Sequence, residues 1–370
     1  MSGGQASIPI TSMPKITTSK KPQSIVGLDI ETGSIAATEV RANGSRAISR
    51  TAIAPLPPGV VNEGEVLNSE ALSEALRGLF GQNKLGKDVR LGIANQRVVV
   101  RTMQLPLIED EKEIDTAVRF RAQDQIPMPL DQAVLDHKVI SRGTGDDGER
   151  QMEVLAVAAR RDMVLSLLEA LRKAGLRPMG IDLSAFGMIR ALDTQPVLPV
   201  EGEEGQIKST TLFCNLGDIT NLAVARGGEC LFTRVAPFGM ENIAERVSEH
   251  GEMPMDDARD ALLDIGLEES LDSFEGDEPA QATREALEEG ASKLVDELRL
   301  SLDFYSAQEG ASAIEHVVLC GPGTSIPGLP ERIQVGLGLG IEVMAPVALQ
   351  GMDDEDAARL TVSYGLAIGD

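Results

Sequence analysis

The amino-acid sequence predicts a two-lobed α/β protein with a cleft between its lobes. The chain has 370 residues, more than one hydrophobic core usually supports, so two lobes are expected. A strand-turn-strand pattern at Asp29 recurs at Asn215. Strand patterns also alternate with helical ones, which is typical of a parallel or mixed sheet. The recurring hairpins indicate two halves that face each other.

The first half of the chain begins with one of these hairpins. Residues 24–30 predict a buried strand, residues 31–34 a polar turn, and residues 35–40 a returning strand. Further along, alternation predicts strands at 88–102, 134–141, 151–159 and 179–183, and helical spacing predicts helices at 69–80, 109–124 and 162–174.

The second half repeats the pattern after an acidic, Gly-containing stretch at 201–205 that we interpret as the crossing between lobes. Residues 210–216 predict a strand, 217–220 a turn and 222–225 a return. Helices are predicted at 241–249, 256–265, 282–306 and 356–368, strands at 317–320 and 341–344, and a solvated loop at 268–278.

Net charge, cysteine content and the lengths of apolar runs restrict which partners the protein can bind and where in the cell it is found. The 34 Lys and Arg against 58 Asp and Glu give a net charge of -24, which repels nucleic acid and acidic membranes and favours a basic partner. Cys214, Cys230 and Cys320 lie in apolar runs without zinc-site spacing, so we interpret them as reduced core thiols. No apolar run reaches the length of a membrane span. We therefore expect a cytoplasmic protein without direct membrane insertion.

Three turns that follow buried strands are the candidate binding residues, because open α/β sheets bind ligands at such strand ends. Small and hydroxyl residues there let backbone N–H groups approach phosphate oxygens, and Asp29 could hold a hydrated Mg²⁺. The predicted nucleotide-binding residues are Asp29, Thr32, Gly33 and Ser34, then Asn215, Gly217 and Thr220, then Gly321, Gly323 and Thr324.

Other motifs point elsewhere. The sequence contains no Gly-x-x-x-x-Gly-Lys loop, which argues against P-loop chemistry. Gly336, Gly338 and Gly340 fit the end of a helix better than a dinucleotide fingerprint. The three histidines are too scattered in the sequence to suggest a metal cluster.

Six segments spread along the chain carry a resemblance to a known family. They are Gly27-Leu28-Asp29-Ile30, Ile126-Pro127-Met128-Pro129-Leu130-Asp131 with Val134-Leu135-Asp136, Ala170 through Pro178, Leu231-Phe232-Thr233-Arg234, Glu297 through Tyr305, and Gly321-Pro322-Gly323 before Ile326-Pro327-Gly328-Leu329. In this order they resemble the actin-like ATPase superfamily, with its ribonuclease H-like fold, and within it the PilM family of type IV pilus assembly.

The resemblance implies a layout of subdomains around a nucleotide cleft. It comprises a disordered leader (1–23), the first part of subdomain 1A (24–86), a 1C insertion (87–158) and the rest of lobe 1 (159–200). The second lobe comprises the first part of 2A (201–240), 2B with connecting helices (241–308), and the rest of 2A with a closing helix (309–370).

The resemblance also implies ligands and partners. These are ATP or ADP with Mg²⁺, and the cytoplasmic N-terminal tail of a PilN-like inner-membrane protein, bound in a groove involving 1A and 1C. Other pilus assembly components are expected partners too. The protein would then be a cytoplasmic scaffold, peripheral to the inner membrane through its partner and gated by nucleotide if it binds any.

Three residues depart from the family pattern at the cleft. Glu31 stands where the first phosphate loop usually has Gly, Ala36 where it has Lys, and Asn215 where the second hairpin has Asp. A carboxylate about 4 Å from a phosphate costs roughly 4 kcal/mol at an effective dielectric constant of about 20. An amide such as Asn215 cannot act as a general base. We therefore name no catalytic residue and expect at most a weak ATPase.

Two alternative functions share this fold. A phosphotransferase of the sugar or acetate kinase kind would need a positioned base and a substrate pocket, and the sequence identifies neither. An FtsA-like filament protein normally ends in an amphipathic membrane helix, and the residues through Asp370 show no such pattern.

Overall fold

The computed structural model describes residues 22–144, 148–193, 209–308 and 310–369. The predicted leader lies outside these residues except for its last two positions, and the predicted crossing at 201–205 lies outside them entirely. The strands are β1 (Ser24–Ile30), β2 (Ser34–Arg41), β3 (Ile48–Pro55), β4 (Val61–Asn62), β5 (Glu65–Val66), β6 (Asp88–Ile93), β7 (Val99–Pro106), β8 (Ala133–Thr144), β9 (Arg150–Arg160), β10 (Arg177–Leu183), β11 (Thr210–Leu216), β12 (Thr220–Arg226), β13 (Glu229–Ala236), β14 (His316–Cys320) and β15 (Ile341–Val343).

The helices lie between these strands in the alternating order that the sequence predicts. They are α1 (Ser69–Gln82), α2 (Glu111–Gln125), α3 (Arg161–Lys173), α4 (Ser184–Leu192), α5 (Met240–Gly251), α6 (Met255–Ile265), α7 (Glu278–Ser306), α8 (Leu329–Leu337) and α9 (Asp354–Ala367).

Two sheets of the same design form the centres of the two lobes. The first sheet has the order β3-β2-β1-β6-β10, and the second sheet has the order β13-β12-β11-β14-β15. In each, an antiparallel meander is extended by two parallel strands. The recurrence detected in the sequence is therefore a recurrence of whole sheets.

The closing helix α9 packs on the first sheet and on α4 rather than on the second sheet. This contact depends on small residues. A Cβ added at Gly365 would lie 1.8 Å from the Gly187 carbonyl oxygen, and one at Gly27 would lie 1.9 Å from the Ser363 carbonyl oxygen. Backbones that approach this closely have no room for any side chain.

The second lobe packs α5, α6, α7 and α8 against the second sheet. Two of the family segments meet here, because the Phe232 ring lies 5.9 Å from that of Phe304 and 5.6 Å from that of Tyr305. The Arg234 guanidinium lies 5.9 Å from the centre of the Phe304 ring. The two segments are therefore joined by an aromatic contact, in which Tyr305 is buried and Phe304 is 51% exposed.

The small sheet (β7, β9 and β8, in that order) follows β6 in the chain. One face carries residues such as Met103 and Val154, which pack with Ile114 and Val118 of α2 in a core of their own. Asp110 caps the start of α2 by accepting hydrogen bonds from the amides of residues 112 and 113. The Pro-containing segment after residue 126 ends the helix.

Some elements differ from the sequence predictions. Strand β6, which the predicted boundary at residue 87 groups with the insertion, pairs with β1 and β10 in the first sheet. Helix α4, whose residues are almost all buried, has no counterpart among the sequence predictions. Helix α7 begins at Glu278, inside the predicted loop, because Asp277 caps it and Pro279 suits its first turn.

We expect Gly365→Ala to lower the free energy of unfolding by about 1–3 kcal/mol, because the added methyl group must push α9 away from α4. The matched control is Gly78→Ala in α1, where an added Cβ meets nothing within 4 Å. That change should leave stability unaltered or raise it by up to about 1 kcal/mol. Urea denaturation measures both, and equal effects would contradict the close approach of the helices.

Candidate functional site

The turns of the two hairpins meet at the interface of the lobes. Asp29 ends the buried part of β1 and pairs with Ala36, and Asn215 holds the corresponding position in β11, paired with Asn221. Both side chains line the same cavity, together with Thr32. The two hairpins that the sequence predicts to face each other therefore share one cavity, which is far smaller than a polyphosphate.

The third predicted turn joins the same interface. Pro322, beside the predicted Gly321 and Gly323, lines a second cavity with Ser34 and Asn215. Gly323 and Gly33 line a third cavity that extends toward α5 and α6. The three turns singled out in the sequence are thus brought together by β1, β11 and β14, which end at one place.

Glu31 points across this interface to the second hairpin. Its Oε2 atom accepts a hydrogen bond from the Asp218 backbone N–H at 3.3 Å, and its Oε1 lies 3.5 Å from the Asn215 amide Nδ2. A Cβ added at Gly217 would lie 2.1 Å from the same Oε1. The side chain of Glu31 therefore fills the space beside the second turn, which sequence analysis left undecided.

Asp218 makes the reverse contact. Its Oδ2 accepts a hydrogen bond from the Gly33 backbone N–H at 2.6 Å. The first turn is held in shape for this contact, since the Gly33 carbonyl accepts from the Leu56 amide at 2.8 Å. Each hairpin therefore places a carboxyl group on a backbone amide of the other.

Asp29 lies behind this pair of contacts. Its Oδ1 accepts a hydrogen bond from the Ser184 hydroxyl at 3.0 Å, at the first residue of α4. Asp29 is 8% exposed, so water contributes little to its solvation. Its carboxyl group is consequently held by one neutral hydroxyl, with two other acids nearby.

Burial raises the pKa of all three carboxyl groups. The pKa of Asp29 rises from 3.8 to about 6, first through desolvation and then through the charge of Asp218. Desolvation also raises the pKa of Glu31 well above its usual range, reinforced by Asp218 and Asp29. The pKa of Asp218 is raised by desolvation and by Glu241, although its hydrogen bond from Gly33 opposes the rise.

Two arginines reach the margin of the cluster. Arg359 of α9 lowers the pKa values of Glu31 and Asp218, and Arg259 of α6 lowers that of Asp218. Arg359 also pairs with Glu355 at 3.0 Å, and Arg259 with Glu241 at 2.7 Å. Their positive charge is therefore shared with carboxylates of their own lobes.

Two predicted hydroxyl groups are used within the fold. Thr220 is fully buried and its hydroxyl donates to the Phe238 carbonyl at 2.7 Å. The Thr324 hydroxyl donates to the Gly321 carbonyl at 2.8 Å. In this arrangement both hydroxyls stabilise their own turns rather than face the shared cavity.

A nucleotide does not fit between the turns in this arrangement. The cavity beside Asp29 and Glu31 has a volume of about 20 Å³, and the one beside Ala36 about 10 Å³, which is room for about one water. Arg359 of α9 lines the cavity beside Ala36, and its guanidinium group also pairs with Glu355. Among the described residues, no group of three or more His, Cys, Asp or Glu side chains is arranged to hold a metal ion. Binding of ATP or ADP, and of Mg²⁺ through Asp29, stays a prediction.

Sequence reasoning did not single out four participants: Asp218, Ser184, Arg259 and Arg359. Asp218 lies inside a predicted turn, and its acidic side chain next to a flexible Gly was an available signal. Ser184 follows a predicted strand directly, as ligand-facing residues often do. The arginines lie on helices and carry no local signal, because their position depends on how the helices pack.

We expect the stability of the protein relative to its Asp29→Asn variant to fall as the pH rises from about 4 to above 6. The folded state raises the pKa of Asp29 from 3.8 to about 6, so the contribution is fully present below the lower value and lost above the upper one. The difference corresponds to about 3 kcal/mol. Urea denaturation across this pH range measures it, with the exposed Asp303→Asn as control. A constant difference between wild type and Asp29→Asn would contradict the burial of an ionisable Asp29.

Solved structures share this architecture. The structure described as the PilM-PilN type IV pilus biogenesis complex matches with a TM-score of 0.76 and 25% identity, over 94% of this chain and 98% of that chain. Ethanolamine utilization protein EutJ from Carboxydothermus hydrogenoformans matches with a TM-score of 0.54 and 14% identity, over 96% and 93% of the two chains. MreB5 of Spiroplasma citri bound to AMPPNP matches at 0.52 and 13%, over 94% and 95%. The predicted actin-like ATPase fold is confirmed.

A sequence profile of the family described as "Type IV pilus assembly protein PilM" matches residues 27–369. The match includes both hairpins, the small sheet and the closing helix. The chain belongs to the PilM family of type IV pilus assembly proteins.

Proposed function

We propose that this protein is a scaffold of type IV pilus assembly that binds the cytoplasmic N-terminal tail of a PilN-like inner-membrane protein. The observation that carries the proposal is the likeness to the PilM-PilN complex. The match to that complex leaves out 6% of this chain. This is far fewer residues than the small sheet and α2 contain together. The part of the fold proposed to bind the tail is therefore included in the likeness.

The small sheet has one open face suited to a peptide. Residues of β7 alternate between the two faces, so Met103 points into the core with α2 whereas Thr102 and Gln104 point the other way and are exposed. Thr102 stands opposite Leu155 of β9, which in turn stands opposite the exposed Lys138 of β8. Leu155, at the centre of this face, is itself 8% exposed, and the exposed polar residues Thr102 and Lys138 stand on its two sides.

The open face runs into the first lobe. At its near end Val100, Val134 and Val157 pack against the first-lobe core. Helix α3 follows β9 directly and contacts β8 and β9, and its Leu165 is 53% exposed. We propose that the tail lies along this face, between the small sheet and the first lobe, where it can bury apolar side chains.

Charge favours a basic tail. The net charge of -24 attracts a positively charged peptide at long range and accelerates its association. No helix in the part of the chain that the structure describes is long and apolar enough to cross a bilayer. We propose that the protein is cytoplasmic and reaches the inner membrane through its partner, where it also contacts other pilus assembly components.

Nucleotide binding, a phosphotransferase activity and a filament-forming role each have less support than the scaffold function. ATP or ADP with Mg²⁺ remains a proposal for an arrangement in which the hairpin turns have separated, and nucleotide gating of the scaffold depends on it. A phosphotransferase would need space for a polyphosphate, whereas the three cavities at the turns have volumes of about 20, 10 and 60 Å³. No feature of the described residues favours an FtsA-like filament.

We expect the purified protein to bind a peptide copy of the PilN-like tail saturably, and Thr102→Arg to weaken this binding at least about tenfold, because a long charged side chain would obstruct the open face. The control is Thr116→Arg, which places the same change on the exposed side of α2. It should leave the affinity unchanged. Fluorescence anisotropy with a labelled peptide measures both.

Two results would count against this proposal. If the folded wild-type protein shows no saturable binding, the proposed function is wrong. If the peptide binds but both arginine variants bind equally well, the open face is the wrong surface.

A further inference from the structure

We propose that Glu31 closes the cleft of this protein from within: its carboxyl group takes the position on the second hairpin that a phosphate oxygen would take, so the lobes are held together without a nucleotide. This inference goes beyond the proposed scaffold function and does not depend on peptide binding. It concerns the clasp, which we define as Glu31 and Gly33 of the first turn with Asn215, Gly217 and Asp218 of the second.

The second turn has the features of an anion site. It follows a buried strand and presents the Asp218 backbone N–H and the Asn215 amide toward the first lobe. Backbone amides in such turns bind phosphate and carboxylate oxygens alike. The oxygens found there belong to Glu31, so the site is already filled by the chain itself.

The two turns are complementary in shape. A Cβ added at Gly217 would lie 2.1 Å from Glu31 Oε1, and only a residue without a side chain leaves room for the Glu31 carboxyl group there. The first turn has a large acidic residue where the second has a glycine. Glu31, which replaces the Gly of the family pattern, therefore fits into the space that Gly217 leaves in the opposite hairpin.

The contact runs in both directions. The Gly33 N–H donates to the Asp218 carboxyl group at 2.6 Å while the Asp218 N–H donates to Glu31 at 3.3 Å. Hydrogen bonds in which a carboxylate accepts from an amide are among the stronger ones in proteins. Because the pair crosses the lobe interface, separating the lobes would break both bonds and expose three buried acids.

Charge also opposes a polyphosphate. The cluster already holds the acids Asp29, Glu31 and Asp218, while Arg259 and Arg359 are shared with Glu241 and Glu355. An added phosphate would be buried among these three acidic groups, and each of them that is ionised would repel it at close range. Glu31 is thus the residue that decides whether the cleft accepts a nucleotide.

We expect wild-type amides at residues 30–34 and 216–220 to be protected from hydrogen exchange without any ligand, and millimolar Mg·ATP to leave that protection unchanged. Glu31→Gly should lose protection at 216–220 at least about tenfold, because the Asp218 N–H loses its acceptor.

Calorimetry should then detect Mg·ATP binding to Glu31→Gly at least about tenfold tighter than to wild type. The control Glu229→Gly, at the exposed start of β13, should behave like wild type.

The wild-type measurement keeps the inference testable even if Glu31→Gly does not fold. Unprotected amides at 216–220 in the wild-type protein would overturn it, as would tight binding of Mg·ATP to the wild type. Unchanged protection in a folded Glu31→Gly variant would overturn it as well. Peptide binding is measured separately, so a failure of the clasp is distinguishable from a failure of the proposed function.

Discussion

The architecture of this protein depends on the reciprocal hydrogen bonds between its two hairpin turns. Gly33 donates to Asp218, and Asp218 donates to Glu31, across the interface of the lobes. The interface that they hold together buries Asp29, Glu31 and Asp218, and this burial raises the pKa of each of the three carboxyl groups. The two backbone hydrogen bonds oppose the rise at Glu31 and Asp218. Buried carboxyl groups are costly unless they are hydrogen-bonded, so the position of one lobe on the other is fixed by the acids that must be satisfied.

The repeated sheet design explains why these turns meet. The first and second sheets have matching strand orders, so the turn after β1 and the turn after β11 occupy corresponding places in the two lobes. Equivalent positions of the two turns carry different residues. The first turn has the acid Glu31 where the second has Gly217, and Asp218 follows that glycine. The two halves share one fold but differ at the turns. Because they differ, Glu31 of the first turn can occupy the anion site formed by the second turn.

The proposed peptide surface and the clasp lie on different parts of the molecule. The small sheet joins the first lobe between β6 and β10, and its open face runs toward α3. The clasp holds the second lobe against that same first lobe. If both proposals hold, the peptide surface belongs to the first lobe, and the clasp keeps the second lobe in place on it without a bound nucleotide.

The local pattern of the sequence predicts the two-lobed α/β class and the hairpins at Asp29 and Asn215, because burial period and turn residues are local properties, and six segments are enough to indicate the family. It did not place β6 in the first sheet or reveal α4. The contact of Glu31 with Asp218, and the positions of Ser184, Arg259 and Arg359 around the cluster, follow from the packing of the folded chain. The contact of Glu31 with Asp218 joins residues 187 positions apart, and that of Asp29 with Ser184 joins residues 155 positions apart. Their geometry follows from strand order and helix packing, which no local pattern encodes.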